Sequence, residues 1–247
     1  LPRECEPDDR FPPARSVRVV VAGGAGAVGE GVARALARAG ATVIAADRDR
    51  KALENLPAAV RPVVCDLARP DEVASLAADL AAEGGLDALV IALGGFRATP
   101  PLTEVDVVHE WERIAARTLR PQLVTTRHLV PLLRTSVRPR FLFLGGSTAE
   151  HPEPGAPLVS VAAAAQLMAA RALATAETRV ESAFLLLEGP VRSRKLEGGE
   201  GSWMDAEMAG RLCARWLIEG FLPAGEIVRV GTRDDILDLL GEGGRRS

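Results

Sequence analysis

The stretch Val17-Arg18-Val19-Val20-Val21-Ala22, running straight into Gly23-Gly24-Ala25-Gly26-Ala27-Val28-Gly29, decides the fold. The first six residues form a short apolar run of the kind a buried strand makes. Val32, Leu36 and Ala39 then recur at helical spacing. A strand, a tight glycine turn and a helix therefore follow one another without a break. The turn satisfies two spacings at once, GxGxxG through Gly24, Gly26 and Gly29, and GxxGxxG through Gly23, Gly26 and Gly29. Residues without a Cβ allow the turn and let a pyrophosphate approach the backbone. The helix N-terminus beyond supplies unpaired N–H groups and a favourable dipole.

Asp47 answers this loop from the end of the next strand, eighteen residues past Gly29. That spacing suits a carboxylate accepting hydrogen bonds from adenosine ribose hydroxyls. Asp47 would repel a 2′-phosphate, so NAD is the expected cofactor, while Arg48 beside it keeps NADP as the alternative. The bland reading is a glycine-rich turn that binds nothing, with Asp47 solvated or capping the helix after it.

Outward from this unit, strand and helix patterns alternate. Strands are predicted at Val17–Ala22, Thr42–Ala46, Arg61–Val64, Asp87–Leu93, Arg140–Gly145, Val180–Leu187 and Glu226–Val230. Most are continuous apolar runs, as expected of parallel strands covered on both faces. Helices are predicted at Ala27–Ala39, Asp49–Leu56, Pro70–Glu83, Glu104–Leu133, Pro157–Thr178 and Asp205–Glu219. The expected fold class is α/β, a Rossmann-type doubly wound, mainly parallel seven-stranded sheet with helices on both faces. Residues 1–15 read as a loose tail, 16–240 as a single dinucleotide-binding domain, and 241–247 as a frayed C-terminal tail.

Composition narrows the function classes. Hydrophobic residues make up 47% of the 247 residues and charged residues 26%, a globular profile. The formal charge of −3 argues for neither nucleic acid nor an anionic membrane as partner. No apolar run is expected to reach the ~20 residues that span a bilayer. Cys5, Cys65 and Cys213 are too few and too scattered for a disulfide framework or a zinc site, so no metal is expected and a cytoplasmic location is.

Further motifs carry a resemblance to a known family. Val64-Cys65-Asp66-Leu67, Leu86-Asp87-Ala88-Leu89-Val90, Trp111–Leu133 and Gly189-Pro190-Val191-Arg192-Ser193 follow the glycine loop in order. Over roughly residues 16–232 the chain resembles the short-chain dehydrogenase/reductases. The resemblance implies that Asp66 lies beside the adenine ring and that Gly189–Ser193 is the Pro-Gly turn near the nicotinamide. The implied cofactor set is Gly23, Gly24, Gly26, Val28, Gly29, Asp47, Arg48, Asp66, Leu67, Gly94, Pro190 and Val191. It also implies a substrate lid at 192–202, carrying Arg192, Arg194 and Lys195 and followed by Trp203. A homodimer or homotetramer is implied through the helices at 104–133 and 157–178.

The family's catalytic positions are replaced. Its Tyr and Lys sit four apart on one helix face, but Pro154–Ala165 aligns with Val159 at the Tyr and Ala163 at the Lys. The chain contains no tyrosine at all. The family's helical Asn falls on Thr118, its Asn-Asn-Ala-Gly on Ile91-Ala92-Leu93-Gly94, and its Ser on Gly146 with Ser147 one position late. Valine donates no proton and alanine holds no ribose. The best substitutes are Ser147, able to hydrogen-bond a carbonyl oxygen, and His151, which titrates near neutrality. Their bland reading is an exposed polar turn, and His109 and His128 read as surface or packing residues.

Two functions follow. One is an atypical oxidoreductase that binds NAD(H) and acts on a small carbonyl or alcohol compound without the Tyr–Lys pair. The other is a catalytically inactive homologue acting as a binding, scaffold or regulatory subunit. A weaker third is a lyase or cyclase that uses His151.

Overall fold

Successive side chains on a strand point to opposite faces, and here both faces are apolar. Val19 and Val21 of the first strand face one way, Val20 and Ala22 the other, and all four are fully buried. Such strands must lie inside a sheet covered on both sides. The computed structural model, which describes residues 16–189, 191–192 and 204–242, has this arrangement.

The strands are β1 (Arg18–Ala22), β2 (Thr42–Asp47), β3 (Val60–Val64), β4 (Ala88–Ile91), β5 (Arg140–Gly146), β6 (Glu181–Leu187), β7 (Val191–Arg192), β8 (Met204–Asp205) and β9 (Ile227–Val230). Seven of them form one parallel sheet in the order β3-β2-β1-β4-β5-β6-β9. The helices are α1 (Ala27–Arg38), α2 (Arg50–Leu53), α3 (Pro70–Ala82), α4 (Val107–Ala115), α5 (Leu119–Leu133), α6 (Pro157–Ala176), α7 (Ala206–Glu219) and α8 (Arg233–Leu239). Pro62 sits in β3, an edge strand, where a missing N–H costs the ladder least. The chain runs outward from β1 to β3 and returns to β4 on the other side of β1. The order thus reverses between β1 and β4, and ligands of open α/β sheets bind beyond the strand ends at such a point.

Helices α1, α7 and α8 cover one face, with Leu36, Trp216 and Ile236 meeting Val21, Leu142 and Leu185. Helices α3, α5 and α6 cover the other, where Leu80, Leu133 and Leu167 meet Phe141, Phe143 and Phe184. Helices α1 and α7 touch backbone to backbone. A Cβ on Gly31 would lie 2.2 Å from the Ala206 carbonyl, and one on Gly210 would lie 2.3 Å from that of Gly31.

Several expectations are corrected. The helix expected over Glu104–Leu133 is two helices, broken at Ala116–Thr118. Pro121 has no N–H for the Arg117 carbonyl, so the chain restarts with this proline in the first turn of α5, where no such bond is needed. Thr118 closes the break by donating its hydroxyl to the Ile114 carbonyl at 2.9 Å. Helix α8 lies past the last expected strand, where no helix was expected. Thr232 and Asp235 form a reciprocal capping box at its start. Gly241 follows its end. Its φ is +70, its N–H reaches the Asp238 carbonyl, and Glu242 pairs with Arg211. Helix α6, at 20 residues and with a mean hydropathy of 1.5, is long and apolar enough to cross a bilayer. It corrects the expectation of no such run, and Leu167 and Ala170 pack it onto the sheet. The calls on 1–15, 193–203 and 243–247 lie outside the described residues.

Arg140, at the start of β5, is a buried cation that ties three elements together. It donates to Glu181, its register partner on β6, at 3.0 Å. It also donates to the Trp216 and Leu217 carbonyls at 3.0 and 2.7 Å, closing the C-terminal end of α7. Gly220, with φ +76, leaves room for it, since a Cβ there would lie 2.1 Å from an Arg140 nitrogen. Arg140→Met removes the side-chain donor of the Leu217 carbonyl and of Glu181, while the Trp216 carbonyl keeps the Gly220 N–H. It should lower stability by about 3 kcal/mol, read as a shift in the urea midpoint at constant m-value.

Candidate functional site

The site is built at the C-terminal end of β1. Gly23 turns the chain with φ +82, and its N–H and that of Gly24 both donate to the Ala46 carbonyl of β2, at 2.9 and 3.2 Å. The glycines have different reasons to be glycine. A Cβ on Gly23 would lie 2.4 Å from the Ala92 carbonyl, on Gly24 2.7 Å from the Ala45 methyl, and on Gly29 2.1 Å from the Gly23 carbonyl. These three are demanded by packing. Gly26 is the least constrained, because its Cβ would meet the Gly23 carbonyl at 3.1 Å, tight but relieved by a small shift, and that of Ala92 at 3.9 Å, with open space otherwise. Gly26 is also the N-cap of α1, and no side chain caps that helix. The first-turn N–H groups thus have no side-chain cap, the condition under which a helix start binds an anion.

Asp47 closes the loop from the side. One carboxylate oxygen accepts from the Ala25 N–H at 3.2 Å and the other from the Asp49 N–H at 3.0 Å. Each oxygen has a second lone-pair direction, so a capping role and a ribose-binding role are compatible. Asp49, not Asp47, caps α2, through the Ala52 N–H. Asp66 sits at the next strand end, where its Oδ1 accepts from the Ala68 N–H at 3.1 Å.

These residues meet in one cleft at the β1/β4 reversal. Gly23, Gly26, Asp47, Arg48, Asp66, Leu67 and Gly94 all line it. Gly24, Val28 and Gly29 support it from beneath rather than lining it. Val191 packs on the sheet core and pairs with Met204, and Pro190 lies outside the described residues. Cys65, Ala92, Leu93, Ala116, Arg117 and Pro121 line the cleft without having been singled out. Ala116 and Arg117 come from the α4–α5 break and Pro121 from the first turn of α5, and this proline is the readable signal of the break. Burial first, then the Glu72, Asp66 and Asp71 carboxylates, push the Cys65 thiol up to about 11, so it is protonated at neutral pH and no nucleophile. Burial pushes Cys213 to about 12.

The substitute catalytic residues stand apart from this cleft. Ser147 opens a single 3₁₀ turn after β5, and its carbonyl accepts from the Glu150 and His151 N–H groups, both at 2.9 Å. His151 is exposed, and neither residue lines the cleft. Glu150 anchors the turn to β9 through a bidentate pair with Arg229 at 2.7 and 2.8 Å. This guanidinium holds the Glu150 carboxyl below its ordinary range. Val159 packs against Ile114, Leu158 and Ala162, with Trp111 and Val105 alongside. His109 is exposed on α4 and His128 is half-buried on α5. Among the described residues no group of His, Cys, Asp and Glu gathers to hold a metal.

A doubly wound sheet with a glycine cradle and a strand-end aspartate defines a nucleotide-binding class of protein. A family model described as enoyl-(acyl carrier protein) reductase matches residues 23–183. The chain belongs to this family of short-chain dehydrogenases/reductases, oxidoreductases that bind nicotinamide dinucleotides. Two solved structures are similar in fold. One is a 3-ketoacyl-(acyl-carrier-protein) reductase from Brucella melitensis complexed with NADH, at 20% identity and TM-score 0.76, covering 88% of this chain and 97% of that one. The other is a short-chain type dehydrogenase/reductase from Mycobacterium ulcerans, at 20% identity and TM-score 0.77, covering 90% of each chain. No curated protein matches by sequence.

The two kinds of glycine separate by mutation. Gly26→Ala should fold normally and weaken nucleotide binding at least ~10-fold, by blocking close approach of a phosphate. Gly29→Ala should cost stability directly, by about 2 kcal/mol or more. Thermal midpoints measured beside titrations distinguish them, and equal behaviour of the two variants would refute the distinction.

Proposed function

We propose that the protein is an atypical short-chain dehydrogenase/reductase that binds NAD(H) and acts on a small carbonyl or alcohol compound without a Tyr–Lys pair. The observation that carries this reading is Gly26, the loop glycine that internal packing constrains least, at the uncapped start of α1 and facing a cleft flanked by Asp47. Residues 16–240 form its dinucleotide-binding domain. Gly23 and Gly26 cradle the pyrophosphate, Asp47 takes the ribose hydroxyls, and Asp66 and Leu67 border the adenine. Asp47 favours NAD. Arg48 and Arg117, which also line the cleft, support NADP as the alternative. The reading places the protein in the cytoplasm, where Cys65 and Cys213 stay reduced.

A bound nicotinamide supplies or accepts a hydride. General acid catalysis is worth about 10²–10⁴-fold, whereas alignment of the reactants is worth ~7–11 kcal/mol. Losing the tyrosine therefore removes the smaller term, and the proton comes from water, from substrate or from His151, with Ser147 as the anchor. A second reading, an inactive binding, scaffold or regulatory subunit, is favoured by Val159, which stands at the tyrosine position inside an apolar cluster.

Calorimetric titration with NADH and then NADPH tests the first reading. Micromolar binding with NADH preferred is the expected result, and binding of neither favours the second reading. In a protein that turns over, His151→Ala should slow the reaction about 10²-fold or more with nucleotide affinity intact. An unchanged rate removes His151 from the mechanism.

A second copy of the chain is the proposed partner, through the helices spanning 104–133 and 157–178, as a homodimer or homotetramer. Leu123 on α5 and Val161 and Met168 on α6 are 50%, 48% and 59% exposed there. Met168→Glu should shift the oligomer to monomer in light scattering, and an unchanged mass would exclude this face.

A further inference from the structure

Two buried amides connect the helices behind the cleft to its floor. Gln122 on α5 and Gln166 on α6 are 1% and 4% exposed. Gln122 Nε2 donates to the backbone carbonyl of Gln166 at 2.9 Å, and Gln166 Nε2 donates to the carbonyl of Leu93 at 2.9 Å. Leu93 and Gly94 line the cleft just past β4, and so does Pro121, the neighbour of Gln122. Val159, Ala163 and Gln166 follow one another at i, i+4 and i+7, so they share one face of α6. Gln166 is the polar member of that set.

The segment it reaches packs Leu93 on the sheet core and pairs Arg97 with Glu110 at 3.7 Å, but its backbone has few hydrogen bonds. The Ala92 N–H donates to the Ala22 carbonyl, and the next backbone hydrogen bond belongs to the Thr99 N–H, which donates to Gly155. Among the described residues, no backbone–backbone hydrogen bond engages 93–98 between these points. Gly95, with φ +146, has nothing within 4 Å of its Cβ position. The Leu93 carbonyl on Gln166 is therefore the backbone anchor of this stretch.

Packing alone does not account for the pair. Gln122 Oε1 is buried without a hydrogen-bond partner, which is costly. A leucine there would remove that oxygen and leave the Gln166 carbonyl within the α6 ladder. The pair holds a place that stability by itself would give to apolar side chains.

We infer that Gln166, seated by Gln122, is a positioning residue that holds the Leu93–Gly94 floor of the cleft in its nucleotide-receiving shape. This rests on the nucleotide reading proposed above. The test compares wild type with Gln166→Met, which keeps the volume and loses the donor, and with Gln122→Leu. Backbone ¹⁵N order parameters of Leu93, Gly94 and Gly95 are measured without ligand, thermal midpoints are recorded, and NADH is titrated. In Gln166→Met the order parameters should fall from about 0.85 to below about 0.6, with NADH affinity about tenfold weaker. Gln122→Leu should keep or raise the thermal midpoint while loosening the same three residues less. Unchanged order parameters in Gln166→Met overturn the inference whatever its affinity. Should that variant not fold, a Gln122→Leu protein that is destabilised with an unmoved floor overturns it equally. Mobile floor residues in a protein whose wild type binds no NADH overturn the nucleotide reading and leave the positioning role standing.

Discussion

The contact between Gly29 and the carbonyl of Gly23 is the constraint on which the rest depends. With a Cβ position only 2.1 Å from that oxygen, α1 reaches the end of β1 only because residue 29 has no side chain. The same close approach brings the uncapped helix start over the strand ends. From the far side, Gly31 and Gly210 let α7 lie directly on α1. Arg140 in turn closes the end of α7 and ties it to β5 and β6. A helix N-terminus attracts an anion only within about its first turn, so this chain of contacts is what gives the cleft its chemistry.

The parts of the fold legible in the sequence are those whose signal is local. The central strands of the sheet are apolar on both faces, so Val19–Ala22 or Phe141–Leu144 reads as a buried strand without any knowledge of its neighbours. The glycine loop and Asp47 were legible for the same reason, a spacing within one strand–helix–strand unit. The α4–α5 break was missed because apolar periodicity runs on through Ile114, Leu129 and Leu133, while the physical stop is the missing N–H of Pro121. Helix α8 was missed although Thr232 and Asp235 carry its capping pattern. The pairing of β7 with β8 spans two residues per strand and has no period to read. Gln122, Gln166 and Leu93 are far apart in sequence, and no residue of that trio announces the other two.

The site shows how separable the two halves of a dinucleotide fold are. Its glycine-loop side is held by backbone hydrogen bonds and by the Asp47 carboxylate, which accepts from the Ala25 and Asp49 N–H groups. Loss of Asp47 would therefore disturb structure as well as binding. Val159 and Ala163, which align with the family's tyrosine and lysine, have apolar side chains and make no such hydrogen bonds. They are as compatible with α6 and its packing as a tyrosine and a lysine would be, and Val159 adds apolar contact with Trp111 and Ile114. Structure therefore guards the first half and leaves the second free to change.

That asymmetry bears on which reaction such a site could still run. Along the face of α6 shared by Val159 and Ala163, the polar group is Gln166, and its donor is committed to the Leu93 carbonyl. A carboxamide does not ionise near neutral pH, so this face offers a fixed dipole where an acid–base pair would otherwise stand. It can orient a ligand or the floor beneath one, but it cannot exchange a proton with the reacting carbon's oxygen. Chemistry at this site would therefore draw on alignment rather than proton transfer. It would favour compounds whose product is stabilised without a donor from α6, or whose proton arrives from water along the open side of the cleft. His151 belongs to a turn anchored on β9 by Glu150 and Arg229 rather than on α6.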